Sequence, residues 1–232
     1  MNIFSMKKND LKNMVFKKPF GNRMALMLIG VFVMGICVAL LRMCHLGTDP
    51  FAAFSYGFSD ITGIDFGTTE LLLNGIMLFA VLFSDVSRLG FGTLGNMILV
   101  GYTADFTTFV INELLGLTEP TNMVLRIVIM LIALAFFVMG ASLYINAGLG
   151  SSPYDALPYI IHNKICRITH KSIAFKFVRI GFDAVFTIAS FFIHGEAGII
   201  TVLMVLSLGP VIDAFSKLLS KILNTNTEPM AE

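Results

Sequence analysis

Residues 46–53 are Leu-Gly-Thr-Asp-Pro-Phe-Ala-Ala, and residues 149–156 are Leu-Gly-Ser-Ser-Pro-Tyr-Asp-Ala. The second stretch therefore repeats much of the first, 103 positions later. Proline has no backbone N–H and disfavours helical geometry in the residue before it. Pro50 and Pro153 thus predict a break in the chain at the same place in two related halves.

Long apolar segments lie on both sides of each break. Hydrophobic residues make up 56% of the 232 residues, charged residues only 13%, and the mean hydropathy is +0.83. Soluble domains contain about a quarter charged residues, and a helix needs roughly 20 apolar residues to cross a bilayer. The sequence therefore predicts an all-α membrane protein. Six spanning helices are expected at residues 24–44, 68–86, 89–112, 125–146, 172–193 and 197–216.

Positive charge indicates the orientation of these spans. Cytoplasmic loops of membrane proteins are rich in Lys and Arg. With the N-terminus inside, twelve of the sixteen Lys and Arg residues fall on the inner side, six of them up to Arg23. We therefore expect a multi-pass membrane protein with both termini in the cytoplasm. Nucleic-acid binding is the weaker explanation for a basic arm that continues directly into a span.

Further matches support a duplication. Val33-Met34-Gly35 recurs as Val138-Met139-Gly140, and Gly101 with Asp105 recurs as Gly209 with Asp213. Each half holds three predicted spans, so the second half must be inverted relative to the first. Inverted repeats with interrupted helices are a common architecture of secondary transporters. The predicted organisation is a basic arm (1–22), a first repeat (23–115), a second repeat (125–220) and a polar tail (221–232).

The motifs resemble those of the YitT/YczE-type family of bacterial multi-pass membrane proteins. The resemblance covers about residues 23–220 and rests on the repeated Leu-Gly-x-x-Pro-aromatic motif and on Gly90-Phe91-Gly92-Thr93. Its most specific element is the Pro-aromatic-Asp-Ala-Leu run at residues 153–157. The first half departs from it, because Ala52 stands where the second half has Asp155. The resemblance implies a cytoplasmic-membrane location and a transport-related role.

Polar residues within the spans and beside the breaks are candidates for a substrate or ion path. An intramembrane charge costs about 3 kcal/mol on insertion scales, so pairing or function is expected. Asp105 and Asp213 either bond helix ends of the partner half or bind a proton or cation. Arg179 either pairs with Asp183 one turn away or holds an anion. The full set of path candidates is Asp105, Asp213, Arg179, Asp183, Asp155 and Asn74; Glu70 is expected to favour a helix N-terminus.

The residues around the breaks form a second candidate set: Gly47, Asp49, Pro50, Gly150, Ser152 and Pro153. The segments that follow, 51–62 and 153–163, are too short to span and are expected to be re-entrant or interfacial helices. They are either half-helices whose N-termini face a ligand or surface helices after ordinary loops. In hydrocarbon such breaks persist only where they face protein, a cavity or the interface.

The chain has no sequence motif of an enzyme. It has no HExxH, Gly-x-Ser-x-Gly or phosphate-binding loop, and neither a cofactor nor a metal is expected. The main hypothesis is a secondary transporter or permease of a small solute, with a path between the two repeats. The alternatives are a ligand-binding membrane subunit that works with a separate ATPase, and a non-enzymatic scaffold or regulator. Expected partners are the bilayer, a small-molecule or ion substrate, and a second copy or another membrane protein.

Overall fold

The computed structural model describes residues 20–117, 120–170 and 172–222. These residues form eight α-helices and no strand. The helices are α1 (Phe20–Cys44), α2 (Pro50–Thr62), α3 (Phe66–Leu82), α4 (Phe91–Phe109), α5 (Met123–Ala147), α6 (Pro153–Thr169), α7 (Phe175–Phe192) and α8 (Ile199–Ile222). A short 3₁₀ turn at Val86–Arg88 precedes α4, and a π-helical turn at Val110–Leu114 follows it. The all-helical prediction is confirmed.

The two short helices begin at the prolines that the sequence indicated. Asp49 is extended, and its Oδ1 accepts the Ala52 N–H at 3.1 Å. Ser152 is extended as well, and its Oγ accepts the Asp155 N–H at 3.1 Å. A side-chain cap followed by proline at the first helical position is a strong helix start. Helix α2 has the predicted length, whereas α6 continues beyond the predicted end at residue 163 to Thr169.

Helices α1 and α5 form the central packed pair. Gly30 and Gly140 allow their backbones to approach, because a Cβ at Gly30 would lie only 2.5 Å from the Gly140 carbonyl oxygen. Helix α4 packs on α1, and α8 packs on α5 in the same way. Gly35 makes the first of these contacts close, since a Cβ there would meet Thr103 at 2.6 Å.

The remaining helices connect the first four helices with the last four. Helix α2 packs on α7, and α3 packs on α6. Each short helix also contacts the helix that follows it, and α3 and α7 pack on α4 and α8. The helices that follow the two breaks therefore pack across the molecule as well as within their own half.

Four segments are long and apolar enough to cross a membrane: Phe20–Cys44, Phe91–Leu114, Met123–Ala147 and Ile199–Leu219. A fifth is obtained if α2 and α3, bent by 115°, count as one broken span. The other predicted spans differ for physical reasons: α3 has only 17 residues, and α7 contains Lys176, Arg179 and Asp183. Most of the predicted basic arm and polar tail lies outside the described residues.

Candidate functional site

Arg179 joins two of the candidate acids into one cluster. Its Nη1 donates to Asp155 Oδ1 at 2.8 Å, and its Nε donates to Asp183 Oδ2 at 2.9 Å. The Tyr154 hydroxyl donates to Asp183 Oδ1 at 2.5 Å. We call Tyr154, Asp155, Arg179 and Asp183 the arginine cluster. It unites the first turn of α6 with the second and third turns of α7.

The arginine cluster is enclosed at one end and more open at the other. The Asp183 side chain is 5% exposed, that of Arg179 21% and that of Asp155 39%. Two guanidinium nitrogens already donate to carboxylates, so the expected ion pair of Arg179 with Asp183 is present. Two carboxylates around one guanidinium leave a net negative charge. The arrangement therefore suits a cationic or polar partner better than an anion.

The first turns of α2 and α6 meet beside this cluster. The rings of Phe51 and Tyr154 are stacked, with centroids 4.7 Å apart and planes 26° apart. Phe186 of α7 packs edge-on against both rings. The N-termini of the two short helices thus face the protein interior, so the sequence alternative of surface helices after ordinary loops is wrong for these first turns.

Glu70 and Asn74 occupy the places in α3 that Arg179 and Asp183 occupy in α7. Glu70 and Arg179 are both fifth residues of their helices, and Asn74 and Asp183 are both ninth residues. Glu70 is 6% exposed and Asn74 2% exposed. The expected capping role of Glu70 is wrong, because α3 starts at Phe66 and places Glu70 in its second turn.

Asp105 bonds the first turn of α3. Its Oδ2 accepts the Gly67 N–H at 2.7 Å. The sequence offered a bond to a helix end of the partner half as one alternative for Asp105. The structure shows a bond to a helix end, but that helix, α3, belongs to the same half as Asp105. A Cβ on Gly67 would lie 2.9 Å from that oxygen, so glycine leaves room for the carboxylate. The side chain of Asp213 lies outside the described residues.

The glycines of the two breaks lie at backbone junctions between distant segments. At the first, Ile200 N donates to Leu46 O at 3.1 Å and Thr48 N to Glu196 O at 3.2 Å. At the second, Gly92 N donates to Leu149 O at 2.7 Å and Ser151 N to Arg88 O at 3.0 Å. Backbone groups freed by the breaks are thereby hydrogen-bonded, as a membrane interior requires.

Comparison with known proteins assigns the chain to a family. The family of unknown function DUF6198 matches residues 21–217. The chain belongs to this family. It is similar to an uncharacterized protein of Haemophilus influenzae, at 27% identity over 199 residues, 85% of each chain. It is also similar to the uncharacterized membrane protein YczE of Bacillus subtilis, at 25% identity over 185 residues, 79% of this chain and 80% of YczE.

The YczE-type resemblance is therefore confirmed. A further relative, the uncharacterized protein YyaS of Bacillus subtilis, is 24% identical over 193 residues, 83% of this chain and 92% of YyaS. No solved structure shows detectable similarity to the chain. This DUF6198 chain is a membrane protein with apolar helices able to span a bilayer.

Two tyrosines that the sequence reasoning did not select mark equivalent places in this DUF6198 chain. Tyr56 stacks on Phe66 and lies under the Arg42 guanidinium, 4.1 Å from ring centroid to Cζ. Tyr159 stacks on Phe175 and lies under Arg88 at 4.2 Å. Both are seventh residues of their helices. Their offset of 103 positions, the same as that of the two breaks, is the signal that could have identified them.

The described residues contain no group of three or more His, Cys, Asp and Glu side chains placed to hold a metal ion. The polar interior of this DUF6198 protein instead offers carboxylates, an amide, a guanidinium and a phenol. Groups of these kinds are chemically able to bind polar solutes or to exchange protons.

Proposed function

We propose that this protein is a secondary transporter or permease of a small solute across the bacterial cytoplasmic membrane, and not an enzyme. The observation that carries the proposal is the arginine cluster, where Arg179 links Asp155 and Asp183 beside the meeting point of α2 and α6. Charged residues are expensive in a membrane protein interior, and they commonly mark a substrate or ion path.

The packing supports a path between two inverted repeats. Helix pairs at equivalent places are in contact throughout: α1 with α4 and α5 with α8, then α2 with α7 and α6 with α3. In the proposed arrangement, six spans form two groups of three, and α2 and α6 are broken helices that enter from opposite sides. Both termini lie in the cytoplasm. Two equivalent halves provide two equivalent end states, one open to each side.

The charge of the cluster favours a cationic or zwitterionic solute. Two nitrogens of Arg179 already donate to carboxylates, whereas Asp155 remains 39% exposed. Asp155 Oδ2 also accepts a hydrogen bond from Ser152 Oγ at 2.8 Å, which places this carboxylate beside the N-terminus of α6. Asp155 is therefore the group that an entering solute meets first in this proposal.

Purified protein in liposomes tests the proposal. A panel of radiolabelled amines, amino acids and polyamines, together with a pH-sensitive dye for proton flux, is measured with the wild type, Asp155→Asn and Asp60→Asn. We expect protein-dependent uptake of at least one cationic or zwitterionic solute. Asp155→Asn should reduce that uptake at least about tenfold, equal to about 1.4 kcal/mol.

Asp60→Asn is the matched control, because Asp60 pairs with Arg42 away from the cluster and its side chain is 53% exposed. It should transport like the wild type. A silent panel with no proton flux, from protein that elutes as a single symmetric peak in size-exclusion chromatography, would overturn the proposal. Equal loss of uptake in both variants would show that the effect is not specific to the cluster.

A further inference from the structure

Two buried oxygen atoms in α3 have no hydrogen-bond partner. They are Glu70 Oε2 and Asn74 Oδ1, on side chains that are 6% and 2% exposed. The Asn74 amide nitrogen donates to the Glu70 carbonyl oxygen at 3.1 Å, so its Oδ1 is the atom that remains available. Buried polar atoms are nearly always satisfied, and an unsatisfied pair one turn apart indicates a missing partner.

Both available atoms are acceptors, so the missing partner must donate a proton or carry positive charge. The charged groups that act on Glu70 are Asp49 and Asp105, and both are acidic. Tyr56 is the other titratable group that interacts with it, and the Tyr56 hydroxyl is itself buried without a hydrogen-bond partner. Among the described residues, no Lys or Arg side chain forms an ion pair with Glu70. Uncompensated burial of a carboxylate is expensive.

The second half shows what fills the equivalent place. There the fifth residue of the helix is Arg179, and its guanidinium provides the positive charge between Asp155 and Asp183. In α3 the equivalent residue is Glu70, so an acidic side chain stands where the second half has a basic one. Gly101 makes room for the Glu70 carboxylate itself, because a Cβ there would lie 2.7 Å from Glu70 Oε2.

We propose that Glu70 and Asn74 bind a small monovalent cation, a proton or a sodium ion, in the place where the second half carries the guanidinium of Arg179. The site deepens the proposed function and rests on it in one respect: in a secondary transporter, this ion is the coupling ion. Binding neutralises Glu70, and Asn74 Oδ1 provides a second oxygen ligand or the acceptor for the bound proton.

Thermal unfolding of the purified protein tests cation binding without reference to transport. In the sodium arm, the Tm is measured while NaCl replaces choline chloride at constant ionic strength. In the proton arm, the Tm is measured against pH in choline chloride alone. A bound ion stabilises the folded state by RT ln(1 + c/Kd), where c is the free ion concentration, so the Tm rises with that concentration. For sodium we expect the Tm to rise by about 5 °C at a concentration one hundred times the Kd.

In the proton arm, the Tm should rise with the proton concentration and therefore fall as the pH increases. If the ion is a proton, the folded protein holds a proton that the unfolded chain releases, so the Tm falls as the pH rises. Glu70→Gln should abolish a sodium dependence, or remove from the pH dependence the part that Glu70 contributes. Glu113→Gln is the control, because Glu113 is exposed in the turn after α4 and should leave the dependence unchanged.

A second variant covers the case in which Glu70→Gln does not fold. Asn74→Ala keeps the carboxylate and removes one oxygen, and it should shift the midpoint of the ion dependence by about tenfold in ion concentration. The proposal is overturned if the wild type responds to neither ion, or if the folded Glu70 or Asn74 variant responds like the wild type. Ion dependence that requires Glu70 in a protein without transport would refute only the proposed function.

Discussion

Phe51 and Tyr154 stack at 4.7 Å between ring centroids, and each is the second residue of a short helix that begins with a proline. Phe51 is 5% exposed and Tyr154 6% exposed. One aromatic contact thereby holds the N-termini of α2 and α6 together. The Tyr154 hydroxyl extends this contact to Asp183, so that ring packing and the ion pairs of Arg179 depend on each other.

Replacing Phe51 by alanine should destabilise the protein by about 3 kcal/mol, because truncation of a buried phenylalanine leaves a cavity. Chemical unfolding followed by circular dichroism measures this change. Phe58→Ala is the control on the same helix, since Phe58 is 38% exposed and should cost less than about 1 kcal/mol. Equal losses in the two variants would contradict the structural role of the stack.

Replacing Arg179 by alanine should cost about 3 kcal/mol of unfolding free energy, because Asp183 would remain buried without its cation. Arg179→Lys should restore only part of this loss, since one ammonium does not reproduce the two directed bonds of the guanidinium. Asp60→Ala provides the comparison: Asp60 is 53% exposed in its pair with Arg42, and an exposed pair contributes about 1 kcal/mol or less. A fully stable Arg179→Ala variant would be inconsistent with the described network.

Alanine at Gly47 or Gly150 should destabilise the protein by more than about 2 kcal/mol. Both glycines have positive φ, +111° and +106°, which costs other residues about 1–2 kcal/mol. A Cβ at Gly47 would also lie 2.9 Å from Gly198 N, and one at Gly150 2.5 Å from Gly90 N. Gly63→Ala separates the cost of positive φ from the cost of the steric clash.

Gly63 has φ +71° but open space around the added Cβ, so it should show the conformational cost alone. Thermal melts of the three alanine variants give the comparison. Loss of stability at Gly47 and Gly150 no greater than at Gly63 would show that the junctions accommodate a methyl group.

Thr93→Val should destabilise the second junction by about 1–3 kcal/mol. Thr93 Oγ1 donates to Ser151 O at 2.7 Å and accepts from Gly90 N at 3.0 Å, and the side chain is 2% exposed. Valine keeps the shape and leaves both buried groups without this partner. Amide hydrogen exchange of the variant and the wild type measures the change. Ser207→Ala is the control, because it removes an exposed hydrogen bond within one helix and should have little effect on exchange. Unchanged exchange at residues 88–93 in Thr93→Val would contradict the prediction.

The sequence predicted the helices that apolar length and proline determine. Five of the six predicted spans correspond to helices within a few residues, and α2 begins at Pro50 as expected. Those features depend on local chemistry: proline geometry, a capping side chain and a continuous apolar run. The helix pairs in contact depend on packing between distant segments, and no local pattern determined them.

The candidate site was predicted only in part for the same reason. Arg179 and Asp183 lie four residues apart on one helix, so their pairing followed from helical periodicity. Asp155 joins them from another helix, and the expected partner half for Asp105 was wrong because the position of α3 relative to α4 decides that contact. Glu70 was assigned to a helix start because the first residue of α3 was predicted two positions too late.

The two backbone junctions have a consequence for biosynthesis. Leu46 O receives its hydrogen bond from Ile200 N, so a group made early in translation waits for the last helix to be inserted. Until then, the first break must be held by the insertion machinery, by lipid headgroups or by water. A chain that lacks α8 would leave the Leu46 carbonyl oxygen without this partner. Packing of α8 thus completes the first break as well as the second half of the described residues.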